Sequence, residues 1–343
     1  MKYVLEPMLF AIDENMSEKD FKVFVNRLVT WDKWMDNNPE DIYVMSNTSD
    51  LLASLGYFPI YPVFSKLIEK YKVNYVQASD LNMIISKLLT KSKKIDETEG
   101  KKFADDAIFN GVKPDEEIEM KEYPEDMKDH FKQLLWHIYC QCKASREKIE
   151  SFVLFARNLS QDLNMTIEYD TLDGDDMVKN REKVRVFCRS SLKDFFSDAK
   201  MPLSILRQTK TKKDLELAIR VSIYQNCDKD KKKIANSLEY DFTIQDSFWG
   251  DFMDAHYTVN DTVLNSLAEA MSHTMLSINN GHNREDFRTG KGGNNPQLKH
   301  EGGYLAWRRF VTSSVKMQYW QRDESFKFAN IGEHDYYVCK WED

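Results

Sequence analysis

Cysteine is scarce in this chain of 343 residues, which carries only Cys140, Cys142, Cys188, Cys227 and Cys339. The number is odd and the spacing irregular, which excludes the paired framework of a small secreted disulfide scaffold. Cys140 and Cys142 stand as CxC, and no histidine pair completes a zinc set, so no cofactor or structural metal is expected. Reduced thiols point to a cytoplasmic protein. Long apolar runs are also missing. Stretches such as LLWHIYC at 134–140 fall short of the ~20 residues a membrane helix needs, so no membrane partner is expected. The N-terminal apolar run is broken by Glu6 and Asp13 and has no small-residue cleavage site, so no signal peptide is expected. There is no excess of positive charge. The 48 Lys and Arg against 56 Asp and Glu give a net charge of −8. That argues against an electrostatic grip on nucleic acid by the whole protein and leaves room for a local basic patch.

What is present is globular: 42% hydrophobic and 13% aromatic residues, enough for sizeable cores at this length. The periodicities predict an α+β (mixed α/β) protein. Residues 1–95 read as an α/β domain. VLEPMLFAID (4–13) is a strand. Ser17, with Asp20 three residues on, caps a helix whose Phe21, Phe24, Val25, Leu28 and Met35 share a face. DIYVMSN (41–47) is a second strand, and Thr48 caps a short helix ending at Gly56. A β-α-β-α start predicts parallel strands. Residues 96–128 are charge-dense and read as a solvated connector. Residues 129–278 read as a helical domain interrupted by one β-hairpin. Its strands are NMTIEYDTL (164–172) and KVRVFCRS (183–190), with the turn signal Asp173-Gly174-Asp175-Asp176 between them. Residues 279–343 read as a C-terminal β domain, in which AWRRFVTS, VKMQYWQ and SFKFANIG form a three-stranded antiparallel meander.

Glycine and histidine gather late in the chain, and functional groups favour such loop-rich stretches. In NNGHNREDFRTGKGGNNPQLKHEGG (279–303), Arg284, Arg288, Lys291 and Lys299 outnumber the acids, and glycines let backbone amides approach an anion. No GxxxxGK[ST] is present, so this is not a P-loop. The segment reads either as a phosphate- or RNA-contacting loop or as a surface connector. In LAWRRFV, Leu305, Trp307, Arg309 and Val311 share one strand face, and Arg308 and Phe310 share the other. LRQTKTKK, ending at 213, is a further basic patch. The aromatic load suits core packing and a partner-protein interface. Asp13, Asp41 and Asp50 lie near strand ends, where carboxylates can hold Mg²⁺, so a metal-dependent nuclease using Asp13 is an alternative.

A Gly-rich approach, a strand with paired Arg, a strand ending in Tyr, an acidic turn, a further strand and IGEHDYY follow one another in the tail. In this order, residues 298–339 resemble the C-terminal half of RelE-like bacterial toxins, which are small ribonucleases. The resemblance implies metal-free RNA cleavage by a prokaryotic, toxin-like subunit of a stress or phage-defence system. It implies that Arg308 or Arg309 stabilises phosphate charge and that His334 or Tyr336 acts as acid or base. Lys316 stands where the family often has Arg, a change from a bidentate clamp to a point charge. The chemistry is consistent: attack by the 2′-OH needs a base, an acid and cations, and His ordinarily titrates near neutrality. The rival expectation is a non-catalytic interaction subunit of a defence complex.

Overall fold

The computed structural model describes residues 1–114, 123–228, 232–254, 260–278, 284–290, 294–300, 302–336 and 338–342. The chain divides into two compact units, Met1–Asp194 and Phe195–Asp343. The mixed α/β class is as the periodicities predict.

The first unit begins with β1 (Lys2–Leu5) and α1 (Glu18–Asn37), then β2 (Ile42–Val44), α2 (Thr48–Ser54), α3 (Tyr61–Tyr71), α4 (Ala78–Lys91) and β3 (Lys93–Lys94). The Ser17 side chain accepts from the Asp20 amide and caps α1, as its sequence signals. At α2 the cap position is Asn47, not Thr48. The apolar run after β1 does not extend as a strand to residue 13. Pro7 removes a backbone donor and opens a 3₁₀ turn over Pro7–Leu9.

Residues 96–114, expected as connector, supply α5 (Gly100–Asp106) and the edge strand β4 (Ala107–Pro114). Then come α6 (Glu125–Ser145), β5 (Phe152–Phe155) and the hairpin β6 (Asp162–Asp173) and β7 (Asp176–Arg189). Gly174, at φ +63°, takes the hairpin turn position that favours glycine. The sheet order is β3-β2-β1-β5-β7-β6-β4. The first five strands run parallel, and β6 and β4 pair antiparallel. A parallel sheet needs cover on both faces. Trp31 and Trp34 of α1 meet Tyr3 on one face. Phe131, Leu134 and Ile138 of α6 share a core with Val4 and Leu154 on the other.

The second unit carries α8 (Met201–Leu206), α9 (Lys212–Asn226), α10 (Ile234–Glu239), β8 (Phe242–Ile244), α11 (Asp246–Asp254) and α12 (Asp261–Met275), after α7 (Leu192–Ser197), which spans the boundary. Asn260 caps α12, accepting from the Thr262 and Val263 amides. Then follow β9 (Arg284–Asp286), β10 (Leu305–Phe310), β11 (Val315–Arg322) and β12 (Ser325–Glu333). The last three strands form the expected meander, within a five-stranded sheet ordered β8-β12-β11-β10-β9. No helix among the described residues is long and apolar enough to cross a membrane.

Candidate functional site

The meander has two faces, and its register assigns the tail's chemistry between them. Arg309 pairs with Met317, while Arg308 pairs with Gln318 and Phe310 with Lys316. Strand alternation therefore puts Arg308 and Arg309 on opposite faces.

Arg309 is 1% exposed. Its guanidinium donates to Thr274 Oγ1 at 3.2 Å and to the Ile278 carbonyl, at and beyond the C-terminal turn of α12. A cation is well placed at a helix C-terminus, whose last carbonyls lack partners. Burial pushes its pKa down. In this position Arg309 binds its own fold and is closed to a ligand.

The other face brings Arg308 and Lys316 together. Glu285 Oε2, on β9, lies 2.7 Å from Arg308 Nε and 3.3 Å from Lys316 Nζ. Lys316 is 2% exposed, and its ammonium lies 4.0 Å from the centre of the Phe310 ring. The His334 ring stands 6.0 Å from that same ring. The His334 side chain is half exposed, and its Nδ1 lies 3.1 Å from Asp335 Oδ1.

Tyr336 sits beside this group. Its carbonyl accepts from Gln318 Nε2 at 3.1 Å, and its hydroxyl lies 3.4 Å from Asp251 Oδ1 of α11. Asn330 Nδ2 donates to the other Asp251 oxygen at 2.8 Å. The Tyr336 pKa is raised, first by burial and then by Asp251, so the phenol holds its proton. Gly332 makes this packing feasible: a Cβ there would lie 2.4 Å from the Tyr336 ring. One sheet face thus holds Arg308, Lys316 and Phe310, with His334 and Tyr336 adjoining, and Arg309 stands apart.

The expected nucleic-acid residues are less gathered. Arg284 is exposed and stacks on Trp307 at 3.3 Å, and register puts it on Arg309's face. Arg288 donates to Asp286 at 2.8 Å and to the Asn295 carbonyl at 2.6 Å, and lines a cavity of about 360 Å³ with Leu298 and Cys339. Lys299 is exposed. Lys291 lies outside the described residues. In the patch ending at 213, Lys212 pairs with Asp246. Asp13 accepts from the Asn15 amide at 2.8 Å, an ordinary local turn. Among the described residues no three His, Cys, Asp or Glu side chains gather as a metal-ligand set.

Sequence reading missed Glu285, Gln318, Asn330 and Asp251. Glu285 alone carried a signal, as an acid between the basic residues Arg284 and Arg288. Compared with family models, curated proteins and solved structures, the chain finds no match.

Proposed function

We propose that the chain is a cytoplasmic, RNA-targeting, toxin-like subunit that cleaves RNA without metal at the Arg308 face of its C-terminal sheet. The prokaryotic stress or phage-defence setting rests on the family resemblance. The observation that carries the reading is the contiguity of Arg308, Lys316, Phe310 and His334, with Tyr336 beside them. His334 takes the 2′-hydroxyl proton, with Asp335 orienting its ring. Arg308 and Lys316 meet the charge of the five-coordinate phosphorus. Tyr336, kept protonated by burial, gives a proton to the leaving 5′-oxygen. Arg309 supports the sheet. Four buried or half-buried cysteines, Cys140, Cys142, Cys188 and Cys339, stand as thiols, which fits the cytoplasmic setting.

Purified protein incubated with RNA in EDTA tests this. Cleavage lost in His334→Ala and cut at least roughly 100-fold in Arg308→Ala supports it, the usual size of an acid–base or charge-stabilising contribution. No cleavage by folded protein contradicts it.

A second reading has its own observation. Glu285 already takes both cations, and Lys316 is nearly sealed. That favours a non-catalytic subunit that holds a partner protein. Co-purification of a stoichiometric partner with an inert protein supports this second reading. The Asp13 metal reading gains no ligand set from the described residues.

A further inference from the structure

The hairpin β6–β7 outgrows the sheet to which it belongs. On one side β7 pairs with β6 from Asp176 to Phe187. On the other side β5 meets it only at Phe187, Cys188 and Arg189. Among the described residues no strand pairs with Met177–Val186 on that side. In an antiparallel ladder alternate residues turn their N–H and C=O away from the partner strand. The Arg189 carbonyl accepts from the Ala156 amide, just beyond β5, so the odd-numbered residues of β7 are the ones that turn outward. Counting back by two, the open edge presents the backbone of Arg185, Lys183, Arg181, Lys179 and Met177. Such an edge is a template for one more strand.

The same five residues share one sheet face. Lys179, Arg181, Lys183 and Arg185 are all exposed. Arg185 is held by Asp162 at 2.5 Å. Arg181 lies 3.5 Å from Glu168, which Lys113 already holds at 2.6 Å, so this exposed contact contributes little. Among the described residues Lys179 and Lys183 have no carboxylate within ion-pairing distance. Toward the turn the face becomes apolar. Met177 and its cross-strand neighbour Leu172 are 57% and 69% exposed, and Ile108 of β4 stands on the same face beside Asp170.

We propose that this edge takes up an extended acidic segment of a partner protein as an added strand. Its carboxylates alternate beside Lys179, Arg181 and Lys183, and an apolar side chain at one end meets Met177 and Leu172. The charge pattern selects this occupant. Two β7 edges from two copies of the chain would set Lys and Arg directly against Lys and Arg, which destabilises a strand pair. Lysines along an edge also discourage a purely hydrophobic strand. An RNA backbone would meet Glu168, Asp170, Asp173, Asp175 and Asp176 on the same arm, which repel a continuous row of phosphates. A β-strand turns only every second side chain to one face, so its acids can meet the basic row alone.

Fluorescence anisotropy of the full chain with a labelled nine-residue peptide alternating Glu and Thr tests this. Saturable binding is expected, roughly tenfold weaker in Lys179→Glu/Lys183→Glu, where two exposed attractions become repulsions. A Lys–Thr peptide is expected not to bind, nor a Glu–Pro peptide, which keeps the charge but loses alternate ladder donors. Amide exchange reads the edge itself. The N–H groups of Lys179, Arg181 and Lys183 are expected to slow when the Glu–Thr peptide is added, while those of Asn180 and Glu182, already in the β6 ladder, stay as they are. No saturable binding by folded protein overturns the proposal, as does binding that is equal in the charge-reversed variant or equal for the Glu–Pro peptide. An oligouridine that slows the same three amides overturns it too, in favour of a nucleic-acid surface. All these residues lie in the first unit, so RNA cleavage at the C-terminal sheet and peptide capture fail independently.

Discussion

At the scale of single residues, adjacent arginines have unlike roles. Arg309 satisfies buried acceptors at the end of α12, so Arg309→Ala is expected to lower stability by about 2–4 kcal/mol, through an unsatisfied carbonyl plus a cavity. Arg308 is a partly exposed ion-pair partner, so Arg308→Ala costs under about 1 kcal/mol. Urea unfolding of the two variants measures the contrast, and equal losses would contradict the assignment. Sequence alternation separated the pair onto two faces but could not say which face α12 would cover. The same gap hid Glu6, which reads in sequence only as an acid interrupting an apolar run. In the fold it is buried beside Tyr123, Arg157, Arg27 and Cys188, and its pKa rises from 4.5 to about 7. Between those values the folded state binds the extra proton, so stability falls as pH rises. The loss is at most about 3 kcal/mol, near 1.4 kcal/mol for each pH step of one across that window. Unfolding free energies from pH 4.5 to 7.5 are expected to show this slope in the native chain and a flatter one in Glu6→Gln.

At the scale of elements, legibility followed local signals. The hairpin β6–β7 announced itself by alternation and an Asp-Gly turn, and α1 by its Ser17 cap. β4 did not, because its short AIFNGVKP run sits between charge-dense stretches that read as a connector, and as an edge strand it leaves much of its length exposed. β5 was hidden for the opposite reason. FVLF is a short, wholly buried parallel strand, and periodicity cannot separate such a run from a buried stretch of helix. Close approaches between elements are also invisible in sequence. Gly100 lies against the α6 backbone, where a Cβ would meet Gln141 N at 2.5 Å. Gly332 is the equivalent under Tyr336. Gly332→Ala is expected to destabilise by about 1–3 kcal/mol, as overpacking does. Most of that should return in Gly332→Ala/Tyr336→Ala, because the clash partner is gone. A double-mutant cycle in thermal unfolding reads the coupling, and additive losses would refute the packing.

At the scale of the whole molecule, a net charge of −8 means that any RNA contact is local. Glu285 tempers that contact by occupying Arg308 and Lys316. Glu285→Gln is therefore expected to tighten RNA binding and steepen its salt dependence by about 0.7 for each cation set free on a single strand. Fluorescence anisotropy across a salt series measures this, and weaker binding would favour the partner-protein reading. The most direct measurement is the chemistry of the cut end. RNA digested in EDTA should carry a 2′,3′-cyclic phosphate with the native chain and with Asp13→Ala, and stay intact with His334→Ala. Cleavage that appears only when Mg²⁺ is added, or cyclic ends that persist in His334→Ala, would contradict metal-free cleavage at the Arg308 face.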